Sequence, residues 1–208
     1  MVLRVLFGSC SGIVRKTGLF CEQHPNKGGR TFSKSKLFSY FYPMEIKIRP
    51  YQIYDAETIV GILNYYIVNS TALYDYELRT LEQQQSIFEE KLNKRFPVIV
   101  ATIDEHVVGF GYYSEFRFRE AYKFTVEHSV YVLQNEHGKG IGKLLLQNLI
   151  DLAKTQKLHT MIGVIDNENQ SSIAFHEQFG FATVGIIKES GFKFERWLHS
   201  VIMQLMLE

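Results

Sequence analysis

The 208-residue sequence has little cysteine and no long hydrophobic segment. Its two cysteines, Cys10 and Cys21, both precede Met44, so a disulfide framework or a cysteine-ligated zinc site is excluded from Met44 onward. No apolar run approaches the ~20 residues of a membrane-spanning helix. The net charge is only +1, so the overall charge does not indicate nucleic acid or an anionic membrane as a partner. We expect neither of these partners, and no metal.

Charge is distributed unevenly along the chain. Residues 1–43 carry seven Lys or Arg and one acid, Glu22, whereas the remainder has 16 basic and 21 acidic residues. The opening is basic, rich in Ser and Gly and nearly free of acids, as organelle transit peptides are. Two other interpretations remain: Met44 is the true start, or residues 1–43 are a flexible tail. We expect an extension over 1–43, outside the fold, and one domain over 44–208.

From Met44 onward, strand-like alternation and helix-like periodicity follow one another. A strand is expected over 46–49, then a helix with Asp55 as its N-cap. Thr80 and Gln83 fit a capping box that opens a second helix. Later helices are expected from Ile141 and Asn169. Further strands are expected over 97–103, 107–113, 124–132, 159–165, 182–188 and 196–206. The pattern predicts an α/β (α+β) fold: a mixed, mostly antiparallel sheet of about seven strands with helices on both faces.

Three glycines, Gly138, Gly140 and Gly142, stand between a predicted strand and a predicted helix. A P-loop needs Ser or Thr after its Gly-Lys, but Leu144 follows Lys143, and the third glycine of a dinucleotide fingerprint is missing. A turn without a ligand would explain one or two of the glycines. Three of them remove side chains from successive amides at the positive end of a helix, so we expect an anion such as phosphate to bind here.

The segment 137–142, His-Gly-Lys-Gly-Ile-Gly, resembles the acyl-CoA pyrophosphate motif R/Q-x-x-G-x-G/A of the GNAT N-acetyltransferases. His137 replaces the usual Arg or Gln. The segment from Asn169 to Phe181 matches the family's N-x-x-[AS]-x-x-[LF]-Y-x-x-x-G-F, with His176 in the tyrosine position. The resemblance covers roughly residues 45–206 and implies the GNAT fold, with acetyl-CoA as cosubstrate.

Four features together resemble the phosphinothricin and methionine sulfoximine acetyltransferase subfamily. They are TVEHSVYV (125–132), EFRFR (115–119), His176 and KFERW (193–197). The resemblance implies acetylation of the α-amino group of a small glutamate-like amino acid analogue by a homodimer, which we expect in the cytoplasm. Alternatives are another amine acceptor (a polyamine, an antibiotic or a protein N-terminus) or a non-catalytic acyl-CoA sensor.

Acetyl transfer requires a held thioester, an uncharged amine, a polarised carbonyl and a protonated leaving thiolate. The edge of strand 126–132 can pair with the amides of pantetheine, and an N–H near Val130 can donate to the thioester oxygen. The expected cofactor-binding residues are Val130, Tyr131, Val132, His137, Gly138, Lys139, Gly140, Ile141, Gly142, Lys143 and Asn169.

The resemblance assigns Glu127 the role of base, directly or through water. It also puts His176 where relatives carry the tyrosine that protonates the thiolate, which a histidine can do. The alternatives are a Glu paired with a cation and a structural His. An arginine fork matches a carboxylate, although a solvated charged loop is also possible. The expected substrate-binding residues are Arg117, Phe118, Arg119, Glu127, His128 and Ser129. His128 faces the valines of its strand, which favours a core residue with a satisfied ring.

Thr71 and Tyr74 precede the second helix, where relatives shape the acceptor site. The KFERW residues Lys193, Phe194, Arg196 and Trp197 could complete that pocket or form the dimer interface.

Overall fold

The computed structural model describes residues 45–208, so the predicted extension over 1–43 lies outside the described residues. Four helices follow the predicted pattern: α1 Ala56–Asn69, α2 Leu81–Asn93, α3 Ile141–Thr155 and α4 Gln170–Glu177. Seven strands are present: β1 Lys47–Pro50, β2 Val98–Ile103, β3 His106–Glu115, β4 Thr125–Val132, β5 Thr160–Asp166, β6 Ala182–Lys193 and β7 Arg196–Met206.

All seven strands form one sheet in the order β1-β2-β3-β4-β5-β7-β6. Every neighbouring pair is antiparallel except β4 and β5, which run parallel. The connection from β4 to β5 contains α3, as a parallel crossover requires. The mixed, mostly antiparallel sheet predicted from the sequence is confirmed.

Helices cover both faces of the sheet, and each face has its own apolar core. On one face, α3 packs Leu145, Leu146 and Leu149 against strand residues such as Val126 and Met161. On the other face, α1 and α2 pack against β2 and β3 around Phe88 and Phe110. Side chains alternate between faces along a strand, so the two sides of β4 contribute to two different environments.

Two predicted helix caps have different outcomes. The capping box of α2 is confirmed: Gln83 N–H donates to Thr80 Oγ1 and Thr80 N–H donates to Gln83 Oε1. Asp55 stands at the N-cap position of α1, but the prediction that it caps the helix is wrong. Its carboxylate instead accepts from Gln52 N–H and from both guanidinium nitrogens of Arg49, which ties β1 to the entry of α1.

Strand β6 extends further than the expected 182–188. Its pairing with β7 is irregular between Ile187 and Gly191, where Glu189 has a φ of +51°. This β-bulge interrupts the two-residue alternation on which the prediction depended, and the strand resumes beyond it to Lys193.

Across residues 45–208, no helix is both long enough and apolar enough to cross a membrane.

Candidate active site

The central feature of the site is a separation between the parallel strands β4 and β5. The two strands pair at Thr125, Val126 and Glu127, with Glu127 opposite Ile162. Beyond Glu127, β4 continues to Val132 without a partner on that side. The result is a cleft in the sheet, bordered by the free edge of β4.

The main-chain groups that border the cleft can be assigned from the pairing of β4 with β3. Phe116 N–H donates to the Thr125 carbonyl, and Leu133 N–H donates to the Val108 carbonyl. Residues of β4 alternate in direction, so its odd-numbered residues bond to β3. The amide and carbonyl of His128, Val130 and Val132 therefore face the cleft.

This alternation separates the three β4 residues that were expected to bind a cofactor. Val130 and Val132 present main-chain groups to the cleft. Tyr131 directs its main chain to β3, while its buried ring stacks on Phe110 with 5.2 Å between centroids. Tyr131 therefore belongs to the core on the α1 face, and its backbone is not part of the free edge.

The glycine cluster forms a concave main-chain surface at the start of α3. Gly138 and Gly140 have φ angles of +79° and +81°, the left-handed region that favours glycine. A Cβ added at either position would meet no atom beyond the neighbouring residues within 4 Å, so the space on the Cβ side of these two glycines is open. Gly140 is the N-cap residue of α3 and provides no side-chain cap, which leaves the first amides of the helix available to an anion.

Side chains around this glycine surface add little net charge. Lys139 Nζ lies 2.7 Å from Glu136 Oε2, and this pair neutralises its charge in part. Lys143 is exposed in the first turn of α3. Asn169 caps α4, as predicted: its Oδ1 accepts from Ser172 N–H at 3.0 Å. The main chain of the glycine motif and of the first turn of α3 therefore provides most of the hydrogen-bond donors at this surface.

His137, at the first position of the glycine motif, contacts α1. Its Nε2 lies 2.8 Å from Tyr66 Oη and 3.1 Å from the Val132 carbonyl oxygen. The same tyrosine hydroxyl donates to that carbonyl at 2.7 Å. Sequence reasoning did not find Tyr66, because its spacing in α1 is that of any core-facing residue.

Glu127 is the last residue of β4 that pairs with β5, and its side chain lies on the face of the sheet that α1 and α2 cover. Burial raises the pKa of its carboxyl group, and the charges of Arg117 and Lys91 oppose this rise. Lys91 comes from α2, with its Nζ 4.6 Å from the centre of the Tyr112 ring. Sequence reasoning missed Lys91, which has no local signal. Ser129 follows on the same strand face, opposite Tyr112 in register.

The two arginines predicted to bind substrate have different surroundings. The Arg117 guanidinium is close enough for its charge to lower the pKa of Glu127. Arg119 instead lies over Phe118, 5.6 Å from the ring centre, and the Phe118 side chain is 89% exposed. Arg117 is also exposed and lies over a phenylalanine, Phe116, 5.0 Å from the ring centre. The difference between the two arginines is that only the charge of Arg117 acts on the carboxyl group of the candidate base.

His176 lies on the opposite face of the sheet from Glu127, next to the cleft. Its Nδ1–H donates to the Ser172 carbonyl oxygen at 2.6 Å, so Nε2 carries the lone pair of the neutral ring. A Cβ on Gly163 would lie 3.5 Å from this Nε2. Gly163 is one residue beyond the last β4–β5 pair, which places Nε2 at the inner end of the cleft. Burial lowers the pKa of His176.

His128 is buried on the same side as His176, with 5.1 Å between the two ring centres. The expectation that its ring is satisfied is wrong, because neither ring nitrogen has a hydrogen-bond partner among residues 45–208. Its face of β4 is opposite to that of Glu127 and Ser129, so the ring does not face the same side as the expected acceptor residues. It packs against His176 and Phe181 instead.

The loop between α1 and α2 rests on the β6–β7 hairpin. The buried Lys193 Nζ donates to the carbonyl oxygens of Ser70 at 2.9 Å and Leu73 at 2.6 Å. The Tyr74 ring covers Gly191, where a Cβ would lie 2.5 Å from the ring, and its hydroxyl is 3.3 Å from Ser200 Oγ. Lys193 therefore supports the loop, and its ammonium group is already engaged by main-chain carbonyls.

Comparison with known proteins agrees with this architecture. The Acetyltransferase (GNAT) family profile matches residues 63–181. An L-methionine sulfoximine/L-methionine sulfone acetyltransferase from Pseudomonas aeruginosa is 37% identical over 166 residues, which cover 79% of this chain and 96% of that protein.

Two solved structures are also similar. One is a GNAT superfamily phosphinothricin acetyltransferase from Sinorhizobium meliloti in complex with acetyl-CoA. It is 34% identical with a TM-score of 0.76, over 78% of this chain and 88% of that chain. The other is a ribosomal-protein-alanine N-acetyltransferase from Brucella melitensis. It is 37% identical with a TM-score of 0.77, over 77% of this chain and 99% of that chain.

The separated parallel strands, the bare amides at the start of α3 and the family match define the class of protein. The chain belongs to the GNAT family of acetyltransferases.

The buried histidine pair predicts a pH dependence of stability. Burial lowers the pKa of His128 to about 3, with a contribution from His176. Below pH ~6.5 the unfolded chain takes up a proton that folded His128 does not, so the free energy of unfolding falls as pH falls from there towards 3. This residue accounts for up to about 1.4 kcal/mol per pH unit. Replacing His128 by Gln should remove the part of this pH-dependent loss of stability that is due to His128. Urea unfolding of the wild type and the variant at pH 7 and pH 4.5 measures it. An equal loss of stability in both proteins would contradict this assignment.

Proposed function

We propose that this protein transfers an acetyl group from acetyl-CoA to the amino group of a small glutamate-like amino acid. The observation that carries the proposal is the position of the free β4 edge, which leads directly into the glycine surface at the start of α3. An extended pantetheine arm can pair with the edge while its diphosphate meets the bare amides. The named relatives act on amino acid analogues, which supports the same class of acceptor here.

The described residues fit coenzyme A at both ends of the cleft. At one end, the amides near Gly138 and Gly140 face open space that a side chain would fill. At the other end, Val130 N–H borders the cleft and can donate to the thioester oxygen as negative charge develops there. We propose Val132, Ile141, Gly142, Lys143 and Asn169 as further contributors to this cofactor site.

The acceptor approaches from the α1 and α2 face, where Glu127 and Arg117 lie. Arg117 can bind the α-carboxylate through two parallel hydrogen bonds. Glu127 takes the proton that the amine loses as its nitrogen bonds to the thioester carbon. An α-amino group has a pKa near 7.7–8.0 in peptides and somewhat higher in free amino acids, so supplying the neutral amine at pH 7 costs on the order of 1–3 kcal/mol. The raised pKa of Glu127 suits a base that works near neutral pH.

The departing thiolate needs a proton, and we propose that His176 supplies it. The Nδ1–H of His176 is held by Ser172, so the active atom is Nε2, which first takes up a proton from the bulk solvent as Glu127 returns one to it. The C–S bond breaks, and sulfur receives this proton as the ring returns to the neutral form. The lowered pKa of His176 makes the protonated ring a strong donor that is only briefly populated.

The name of the Brucella melitensis relative raises a protein N-terminus as a second acceptor class. A peptide amine has no free α-carboxylate beside it, so Arg117 would have no partner. The charge of Arg117, which acts on the Glu127 carboxyl group, therefore supports a free amino acid as the acceptor.

The hairpin of β6 and β7 supports the predicted homodimer. It exposes several large apolar side chains, including Val184, Ile186 and Trp197, the last with 57% of its surface exposed. Such a patch is typical of an association surface. Sedimentation equilibrium should give twice the mass of the chain, and a monomer at micromolar concentration would contradict the homodimer. The cytoplasmic location stays a prediction.

The glycine surface is tested by Gly140→Ala, with Gly180→Ala as a matched control. Both glycines have left-handed φ angles, +81° and +87°, so both variants carry similar backbone strain. Only the first puts a methyl group in front of the proposed diphosphate site. We expect a loss of acetyl-CoA affinity of at least about tenfold in Gly140→Ala, because charge-assisted hydrogen bonds are lost. Titration calorimetry measures the acetyl-CoA affinity of both variants. Equal affinities in the two variants would place the diphosphate elsewhere.

The base is tested by Glu127→Gln, with the exposed Glu120→Gln as its control. Removing a general base should lower kcat by about a hundredfold while acetyl-CoA still binds normally. The wild-type rate should fall with decreasing pH because the amine becomes protonated, and it should fall more steeply through the raised pKa of Glu127. Only this second, steeper fall should be absent in Glu127→Gln. Thiol release measured between pH 5 and 9 gives both quantities. Unchanged turnover in Glu127→Gln would show that Glu127 is not the base.

The acceptor class is tested with a panel measured by thiol release. The panel contains phosphinothricin, methionine sulfoximine, methionine sulfone, glutamate, a polyamine and a short peptide with a free N-terminus. We expect turnover with the four amino acids and little turnover with the polyamine or the peptide. Arg117→Ala should raise KM for these amino acids by about 10- to 100-fold, whereas Arg119→Ala should change it little. If an acceptor without a carboxylate suffers the same loss, Arg117 does not bind carboxylate. Cofactor binding without turnover on any amine would favour an acyl-CoA sensor.

A further inference from the structure

The side chain of His137 makes contacts that recognition of a diphosphate does not explain. It follows β4 by five residues, and its Nε2 reaches back to the Val132 carbonyl oxygen and to Tyr66 Oη of α1, at 3.1 and 2.8 Å. Tyr66 Oη also contacts that carbonyl oxygen, at 2.7 Å. The three groups form a closed set that joins a helix, the end of a strand and the first residue of the glycine motif.

The hydrogen positions in this set follow from its chemistry. A carbonyl oxygen can only accept, so the single proton of Tyr66 Oη points to Val132. His137 Nε2 then faces two oxygens, one of which has already used its proton. It can bond to them only as an N–H donor, so the neutral ring must carry its proton on Nε2. The arrangement therefore fixes one tautomer of His137.

The position of the Val132 carbonyl makes this contact relevant to the cofactor. It lies on the cleft side of β4, at the end of the free edge, just before the turn that leads to Gly138. Because the carbonyl is taken by Tyr66 and His137, Val132 offers only its amide to the cleft, whereas Val130 offers both its amide and its carbonyl. The contact also fixes where the edge stops relative to the glycine surface.

We infer that Tyr66 and His137 are positioning residues, a clamp that sets the spacing between the thioester-binding edge of β4 and the diphosphate-binding amides of Gly138–Gly142. His137 acts through the backbone that it holds, and it is not a ligand of the diphosphate. This inference rests on the proposed function, because it assigns the clamp a role in binding acetyl-CoA.

The clamp is tested by a double-mutant cycle on acetyl-CoA binding. The variants are Tyr66→Phe, His137→Ala and the double variant, and Tyr65→Phe is the control because it removes an exposed hydroxyl from the neighbouring residue of α1. We expect each single variant to weaken binding by roughly three- to tenfold, the effect of losing one or two neutral hydrogen bonds. The double variant should lose no more acetyl-CoA affinity than the single variant that binds less tightly, because the two side chains act as one unit.

Three results with these variants would overturn the clamp. Normal affinity in Tyr66→Phe with reduced affinity in His137→Ala would indicate that His137 contacts the diphosphate directly. A lower Tm in both variants with unchanged acetyl-CoA affinity would indicate a purely structural contact. Losses that multiply in the double variant would likewise show that the two side chains act separately.

A measurement without ligand keeps this test separate from the proposed function. Nitrogen NMR of the His137 ring should show the proton on Nε2 in the wild-type protein and a mixture of tautomers in Tyr66→Phe. A mixture in the wild type as well would overturn the clamp. If the wild type shows the fixed tautomer but does not bind acetyl-CoA, the proposed function fails and the assigned role of the clamp fails with it, while the contact itself stands.

Discussion

The loss of hydrogen bonding between β4 and β5 beyond Glu127 is the constraint on which the site depends. Two parallel strands that stayed paired to their ends would leave no main-chain donor free between them. Their separation exposes the amides of alternate β4 residues and places Gly163, which has no side chain, beside the opening. The candidate base lies at the last paired position and the candidate acid at the inner end of the cleft, on opposite faces of one sheet. A single gap in the sheet therefore brings together the sites proposed for the thioester, the acceptor and the proton donor.

Burial has a different effect on each titratable group around this gap. It raises the pKa of the Glu127 carboxyl group and lowers the pKa of His176, in both cases by disfavouring the charged form. The charges of Arg117 and Lys91 oppose the rise in the pKa of Glu127. His128 is so deeply buried that it stays neutral throughout the working range of an enzyme, and it serves as packing for His176.

The acceptor side of the site depends on segments that are far apart in the chain. The loop after α1 is held by Lys193, more than a hundred residues later, through two carbonyl oxygens. Gly191 leaves room for the Tyr74 ring. The β-bulge of β6 comes just before Gly191 and Lys193 in the chain. In the sequence, the KFERW segment was a feature of the subfamily resemblance, and its residues could complete the acceptor pocket or form the dimer interface. In the structure, its Lys193 supports this loop.

The sequence by itself determined the features that depend on neighbouring residues. These include the capping box of Thr80, the cap at Asn169, the alternation of faces along β4 and the bare amides of the glycine motif. Each is a matter of local backbone geometry or of side chains within one turn. Only the tertiary structure decided that Lys91 lies beside Glu127, that His137 bonds to Tyr66, that Asp55 binds Arg49, and that β4 separates from β5. These contacts join segments that the sequence pattern treats independently, and their free energy depends on packing and burial, which exist only once the chain has folded.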